Sequence, residues 1–363
     1  MKRHKYPTPS RGKTLFEEIC DIDNLRLAHK HAKKGKGWYK EVREIDKDPD
    51  RYLFKLKWLL ENGLYKTSNY TIFDRVEGKK LRHIYKLPYF PDRICHWAII
   101  QVIEPILLKQ FTRDTYSAIP GKGIHDCLNK VKCDIHKDRE GTKYCLKLDI
   151  KKYYPSINHY ILKKKYANLF KDEKLLSLLN EIIDSVPKKE GLPIGNYISQ
   201  YSGNFYLSEF DHWIKEKLHI KYYYRYMDDI VILNSSKKEL HRIFYRVKQY
   251  LSCALALTIK NNWQIFPISD RGIDFVGYRI FPDYTLLRKT TCNAMKTKSN
   301  KLLNKDELNY SDRCSIQSYN GWLKHCDSYR LKQIYISPLM EKGGFNEKLR
   351  KDRMRHKTRI SYC

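Results

Sequence analysis

Three carboxylates stand where they could do chemistry together. Asp149 lies in the run Cys145-Leu146-Lys147-Leu148-Asp149-Ile150, and Asp228-Asp229 fall between Tyr226-Met227 and Ile230-Val231-Ile232-Leu233. In the first run the period is two. Leu146, Leu148 and Ile150 share one face, while Lys147 and Asp149 point the other way, as in a half-buried strand. Tyr222 to Tyr226 and Ile230 to Leu233 are short β-rich runs joined through the acids, which predicts a hairpin with carboxylates at its tip. If these strands are neighbours, three carboxylates meet on one solvent-facing patch. Mutual repulsion would raise their pKa values there, so the arrangement calls for cations. Two Mg²⁺ ions bind carboxylates plus substrate phosphates; one would polarise an attacking hydroxyl and the other would stabilise a leaving phosphate group. An Asp-Asp pair in a turn is commonplace; the three acids as a set are not.

The elements around the acids must position them. Asp50 to Asn62 has Leu53, Leu56 and Leu59-Leu60 at helical spacing. Asn69 to Tyr89 reads as a hairpin turning at Glu77-Gly78. Asp92 to Gln110 reads as a buried helix that Pro105 would kink. Gly203 to Leu218 is expected as an amphipathic helix through Tyr206, Phe210, Trp213 and Ile214, and Glu239 to Leu251 as another. Thr258–Phe266 and Phe275–Phe281 are strand candidates. Beyond residue 285 the chain is basic and helical, with Ile316, Tyr319, Leu323, Cys326 and Arg330 on one stripe. Without a strict βαβ rhythm, an antiparallel sheet backed by helices is predicted, an α+β fold.

A chain of 363 residues is expected to form two or three packed subdomains. Lys plus Arg number 71 against 41 Asp plus Glu, a net charge of +30 that favours a polyanionic partner, nucleic acid or an anionic membrane. The 29 tyrosines often flank basic residues, as in Lys151-Lys152-Tyr153-Tyr154 and Lys221-Tyr222-Tyr223-Tyr224-Arg225-Tyr226. Such runs can track a phosphate backbone and stack bases, or can reflect an AT-rich coding sequence. The ten cysteines form no CxxC pair and are expected as reduced thiols. Met1 to Lys5 leads into polar residues, so no signal peptide is expected, and Trp97 to Leu108 is too short to span a bilayer. A soluble, cytoplasmic protein, encoded by a bacterium or phage, is the expectation.

Several segments together carry a resemblance. Tyr226-Met227-Asp228-Asp229 with its apolar sequel resembles the catalytic hairpin of reverse transcriptases, and Leu148-Asp149-Ile150-Lys151-Lys152-Tyr153-Tyr154 resembles their first metal-binding motif. Gly191-Leu192-Pro193-Ile194-Gly195-Asn196-Tyr197-Ile198-Ser199-Gln200 is similar to their template-and-nucleotide motif. Asp274-Phe275-Val276-Gly277-Tyr278 is similar to the primer grip. Pro91-Asp92-Arg93 through Ile106, and Tyr116 to His125, resemble finger motifs of group II intron-like bacterial enzymes. The resemblance runs in order from about residue 70 to 335.

It implies an RNA-directed DNA polymerase with a right-hand fold: fingers, antiparallel-sheet palm and helical thumb. Residues 1–70 would be a basic helical extension and 71–143 fingers. Residues 144–284 would be palm, with part of the fingers inserted near 160–190, and 285–363 thumb and basic tail. Asp149, Asp228 and Asp229 would be catalytic and, with the carbonyl of Ile150, would hold two Mg²⁺, Mn²⁺ being a possible substitute. Lys80, Arg82, Tyr154, Ile194, Gly195 and Gln200 would contact the deoxynucleoside triphosphate. Tyr154 is read as the residue that blocks a ribose 2′ hydroxyl, or else as a packing tyrosine. Lys260 is a candidate general acid or a plain surface lysine. Phe275, Gly277 and Tyr278 would form the primer grip. The basic helices after residue 285 would grip an RNA/cDNA duplex, or form a solvated face.

Ile194-Gly195-Asn196 followed by Ser199-Gln200, where group II intron and retroviral enzymes usually carry Gln and Pro at the positions of Ile194 and Gln200, is similar to the enzymes of diversity-generating retroelements. So is Ser318-Tyr319-Asn320-Gly321-Trp322-Leu323-Lys324-His325-Cys326. That subgroup implies error-prone copying of a template RNA, mutagenic at template adenines, for diversification of a target gene. Its usual partner is a basic oligomeric accessory variability determinant. The remaining segment is expected to be too short for a maturase, endonuclease or RNase H domain. The alternatives are a bacterial reverse transcriptase of phage defence or intron mobility, and a non-catalytic RNA-binding protein on a polymerase fold.

Overall fold

The structure, a computed structural model, describes residues 12–77, 80–186, 188–342 and 345–348. The described residues form two compact units, one drawn from 1–121, 149–221 and 244–262, the other from 122–148, 222–243 and 263–363. The fold is α+β, as the sequence patterning predicts.

The first unit is helical apart from one hairpin. Thr14 and Glu17 form a capping box that starts the helix Leu15–Cys20. In Pro49–Glu61 the buried residues are Leu53, Leu56 and Leu60, the helical stripe expected. Ile94–Lys109 is buried nearly all round and runs on through Pro105. Asp172 caps the helix Glu173–Asp184 through Leu175 N–H and also accepts from Phe16 N–H at 2.8 Å, joining the N-terminal helices to that layer. Strands β1 (Thr71–Glu77) and β2 (Lys80–Lys86) form the hairpin, with Thr71 opposite Lys86. Ile72, Phe73, Val76 and Leu81 are all exposed on it.

In the second unit, β3 (Tyr144–Asp149), β4 (Tyr222–Tyr226), β5 (Asp229–Asn234) and β6 (Gln264–Pro267) make a sheet in the order β4-β5-β3-β6. Leu146 and Leu148 are buried, while Lys147 and Asp149 are half-exposed, the alternation expected. Helix Ile124–Lys137 packs against β4: the hydroxyls of Tyr224 and Tyr222 donate to Asp134 (2.6 Å) and Asp138 (2.5 Å). A meander of β7 (Ile273–Phe275), β8 (Tyr278–Ile280) and β9 (Thr285–Leu287) precedes the helices Lys289–Leu303 and Tyr310–Leu323.

The structure corrects several expectations. Gly203 to Leu218 is not one amphipathic helix. The helix begins at Tyr197 and ends at Tyr206, followed by Ser208–His212 and a wide turn at Trp213–Lys217. Residues 201–206 are all buried, which leaves no amphipathic stripe to read there. Thr258–Phe266 is not a continuous strand, because a turn at Asn261-Asn262 interrupts it. Phe275–Phe281 is a hairpin corner. Val276 and Gly277 both take positive φ (+42° and +88°), the turn conformation that reverses a two-residue hairpin. Helix Lys237–Leu255 outruns the predicted Glu239–Leu251 at both ends. The stripe expected from Ile316 to Arg330 is cut short, because the helix Tyr310–Leu323 ends before Cys326 and Arg330 falls in the next helix, Tyr329–Tyr335. Tyr222, Tyr223, Tyr224 and Tyr153 are buried, so these tyrosines are core rather than stacking platforms.

Candidate active site

The acid hairpin closes with Tyr226 opposite Asp229, leaving Met227 and Asp228 as a two-residue turn. Met227 sits at φ +54°, a left-handed conformation that costs a non-glycine residue about 1–3 kcal/mol and persists only when its surroundings impose it. Arg225 supplies part of that constraint. Its side chain is wholly buried, and Nη1 donates to the Met227 carbonyl at 3.0 Å. Asp228 is half-exposed at the tip. Asp229 opens β5 with its carboxylate 3.6 Å from the ammonium of Lys147, which also donates to the Asp274 carbonyl.

Asp149 is the last residue of β3. The 258–260 segment runs beside it: Lys151 N–H donates to Thr258 O (2.8 Å), buried Ile150 bridges Ile259, and Lys260 N–H donates to Asp149 O (2.9 Å). Lys260 Nζ lies 2.5 Å from Asp149 Oδ1. Both side chains are about one-third exposed (30% and 31%), so the pair neutralises charge more than it stabilises the fold.

Among the described residues, no group of three or more His, Cys, Asp or Glu is gathered as a metal centre. The donor chemistry nevertheless fits a hard divalent cation, since carboxylate and carbonyl oxygens are the ligands magnesium takes. Here Lys260 and Lys147 supply positive charge beside Asp149 and Asp229.

The residues expected to contact a nucleotide all fall in the first unit. Tyr85 N–H on β2 donates to the Ile194 carbonyl at 2.9 Å. Gly195 has φ +126°, and a Cβ there would lie 2.6 Å from the Tyr85 carbonyl oxygen, so only glycine permits this approach. Asn196 Nδ2 donates to the Tyr70 hydroxyl at 3.1 Å. Tyr154 packs against Gly203, where a Cβ would meet its ring at 3.3 Å, and its carbonyl accepts from Leu192 N–H at 2.9 Å. Ile194 is half-buried, and Gln200 is exposed on the helix Tyr197–Tyr206. Lys80 and Arg82 lie on β2, but their side chains are outside the described residues.

The Phe275 and Tyr278 rings are buried. A Cβ at Gly277 would lie 2.4 Å from the Trp322 ring, and the Tyr278 hydroxyl donates to Trp322 O at 3.0 Å. The rings hold the corner in shape, while Asp274 and Arg279 stand exposed on its other face. Of the lysines after residue 285, Lys298 and Lys305 are committed to buried Asp312, at 3.2 and 2.5 Å.

Sequence reasoning missed Arg225, Lys147 and the Tyr85–Ile194 link. Lys147 had a signal, because it shares the strand face of Asp149. A backbone bond from β2 to a distant loop leaves no signature in side-chain types.

Residues 75–280 match the family described as reverse transcriptase (RNA-dependent DNA polymerase). The chain is similar to Protein YkfC of Escherichia coli (strain K12), 23% identical over 53% of this chain and 62% of that protein, so it spans under two-thirds of that relative's length. Among solved structures it is similar to apo telomerase from Candida tropicalis (TM-score 0.49, 14% identity, 76% of this chain and 63% of that one). Another is telomerase from Candida albicans in complex with a TWJ fragment of telomeric RNA (TM-score 0.48, 11% identity, 79% and 63%). No helix among the described residues is long and apolar enough to cross a membrane.

Proposed function

The chain belongs to the reverse transcriptase family, and from that premise we propose that it is a right-hand polymerase that synthesises DNA on an RNA template with Asp149, Asp228 and Asp229 as its catalytic acids. The observation that carries this reading is the strand order β4-β5-β3, in which the strand opening with Asp229 neighbours the strand closing with Asp149. Those acids, with the Ile150 carbonyl, would hold two divalent ions, which when bound polarise the primer 3′ hydroxyl and stabilise the departing pyrophosphate. Lys260, paired with Asp149, would give a proton to that pyrophosphate. Tyr154, fixed between Leu192 and Gly203, would exclude a 2′ hydroxyl. The Ile194-Gly195 loop, tied to β2, would seat the incoming base. Fingers, palm and thumb would follow the sequence boundaries given above.

The finer reading places the chain in a diversity-generating retroelement. It would copy that element's RNA with errors opposite adenine, with an accessory basic oligomer as partner. Its support is Ile194, which offers the nucleotide shape without a hydrogen bond, together with Gln200 and the 318–326 segment. The test is to sequence cDNA made by the purified protein on its own element's RNA, with and without the accessory protein. Errors concentrated at adenines support the finer reading. Evenly spread errors overturn it and leave the polymerase; absence of cDNA overturns both.

A further inference from the structure

We infer that the first unit carries a pocket for one unstacked nucleotide of single-stranded RNA, lined by Tyr39, Lys36, Lys86, Arg93 and His96. This rests on the polymerase reading, since a template strand is the RNA such an enzyme holds. The pocket encloses about 250 Å³, near the lower end of small-ligand pockets, which begin at roughly 300 Å³. One nucleotide suits that size and a duplex does not.

Its chemistry sorts by depth. At the mouth, the Tyr39 ring has Lys36 Nζ 5.3 Å and Lys86 Nζ 5.7 Å from its centroid. Trp38, exposed, meets the same ring edge-on at 4.3 Å and widens the aromatic surface. Arg93 is half-buried and steadied by Nε donating to Ala32 O at 3.4 Å. Among the described residues no carboxylate forms an ion pair with Lys36, Lys86 or Arg93. Glu41 also lines the pocket, with its carboxylate accepting from Tyr89 N–H at 2.6 Å. Deeper lies His96, 2% exposed, whose Nε2 has no hydrogen-bond partner among the described residues. Burial pushes its pKa down to about 4, so the ring is neutral at pH 7.

Three cations suit a phosphate, aromatic faces suit a base, and a neutral buried imidazole suits a polar base edge. An apolar ligand would leave the cations unexplained, and an acidic peptide would leave the rings unexplained.

The test uses the full chain in EDTA, with fluorescence anisotropy of a short labelled single-stranded RNA and of a blunt RNA/DNA duplex. Tyr39→Ala is expected to weaken single-strand binding about tenfold, or ~1.4 kcal/mol, with duplex affinity kept within about twofold. Tyr39→Phe, which keeps the ring, is expected to bind as the parent does. A 4-thiouridine probe is expected to crosslink to the peptide bearing Tyr39. Unchanged single-strand affinity in Tyr39→Ala, or equal loss for both probes, would overturn the pocket. So would loss of the crosslink to a free deoxynucleoside triphosphate competitor. Primer extension by the parent protein reports separately on the polymerase reading. An inactive parent with ring-dependent binding sinks that reading alone, and an active parent with ring-independent binding sinks the pocket alone.

Discussion

Two hairpins of similar length are built in opposite ways. In β4–β5, Tyr223, Tyr224, Arg225 and Ile230 to Leu233 are at most 1% exposed. In β1–β2, Ile72, Val76 and Leu81 are each more than half exposed. The first hairpin is held from beneath by its own core. Tyr224 reaches Asp134, Arg225 reaches the turn carbonyl, and the acids emerge at a fixed tip. The second is tied to its unit through the Tyr85–Ile194 bond, with the close Gly195 approach beside it. The contrast suits the division of labour proposed above: chemistry needs groups fixed to a fraction of an ångström, whereas gripping a substrate needs a surface left uncovered for it.

The largest effect is expected from the fixed hairpin. Asp228→Ala should lower nucleotide incorporation at least about a hundredfold, ~2.7 kcal/mol of barrier, with RNA binding retained, as measured by single-nucleotide insertion and filter binding. Next, Arg225→Met keeps much of the buried volume but removes the donor to Met227 O. Losing a hydrogen bond from a charged donor costs about 1.5–3 kcal/mol, so thermal unfolding should shift down by several degrees. An unchanged melting temperature would mean that the turn does not depend on Arg225.

The same contrast explains what the sequence disclosed. Period-two alternation exposed β3 because one face is buried and the other is not, and the acid pair marked its own turn. Leu53, Leu56 and Leu60 likewise marked their helix. The 197–206 helix resisted reading because residues 201–206 are buried all round. The β7–β8 corner resisted because Val276 rarely takes positive φ. Arg225, between two tyrosines in a basic and aromatic run, carried no sign in sequence that it lies buried under the turn.

A smaller effect is expected on the exposed side. Gly195→Ala forces a Cβ against Tyr85 O at a backbone angle that disfavours it, and should shift β2 away from the Ile194 loop. The expected outcome is about a tenfold weaker apparent affinity for deoxynucleotide, ~1.4 kcal/mol, with a modest change in the maximal rate. Smallest of all, Ile194→Gln adds a hydrogen-bonding group where the proposed function seats the incoming base and should lower misincorporation opposite adenine several-fold while synthesis stays measurable. Steady-state insertion opposite each template base checks it.

The central claim, that fixed acids do the chemistry while the exposed hairpin holds the substrate, is tested most directly by single-turnover insertion on a primed RNA template. Parent, Asp228→Ala and Gly195→Ala proteins would be compared across deoxynucleotide concentration in Mg²⁺. The account predicts that Asp228→Ala loses the maximal rate at nearly parental nucleotide affinity, and that Gly195→Ala loses affinity and keeps most of the rate. Parental rates in Asp228→Ala, or an affinity loss confined to Asp228→Ala, would contradict it.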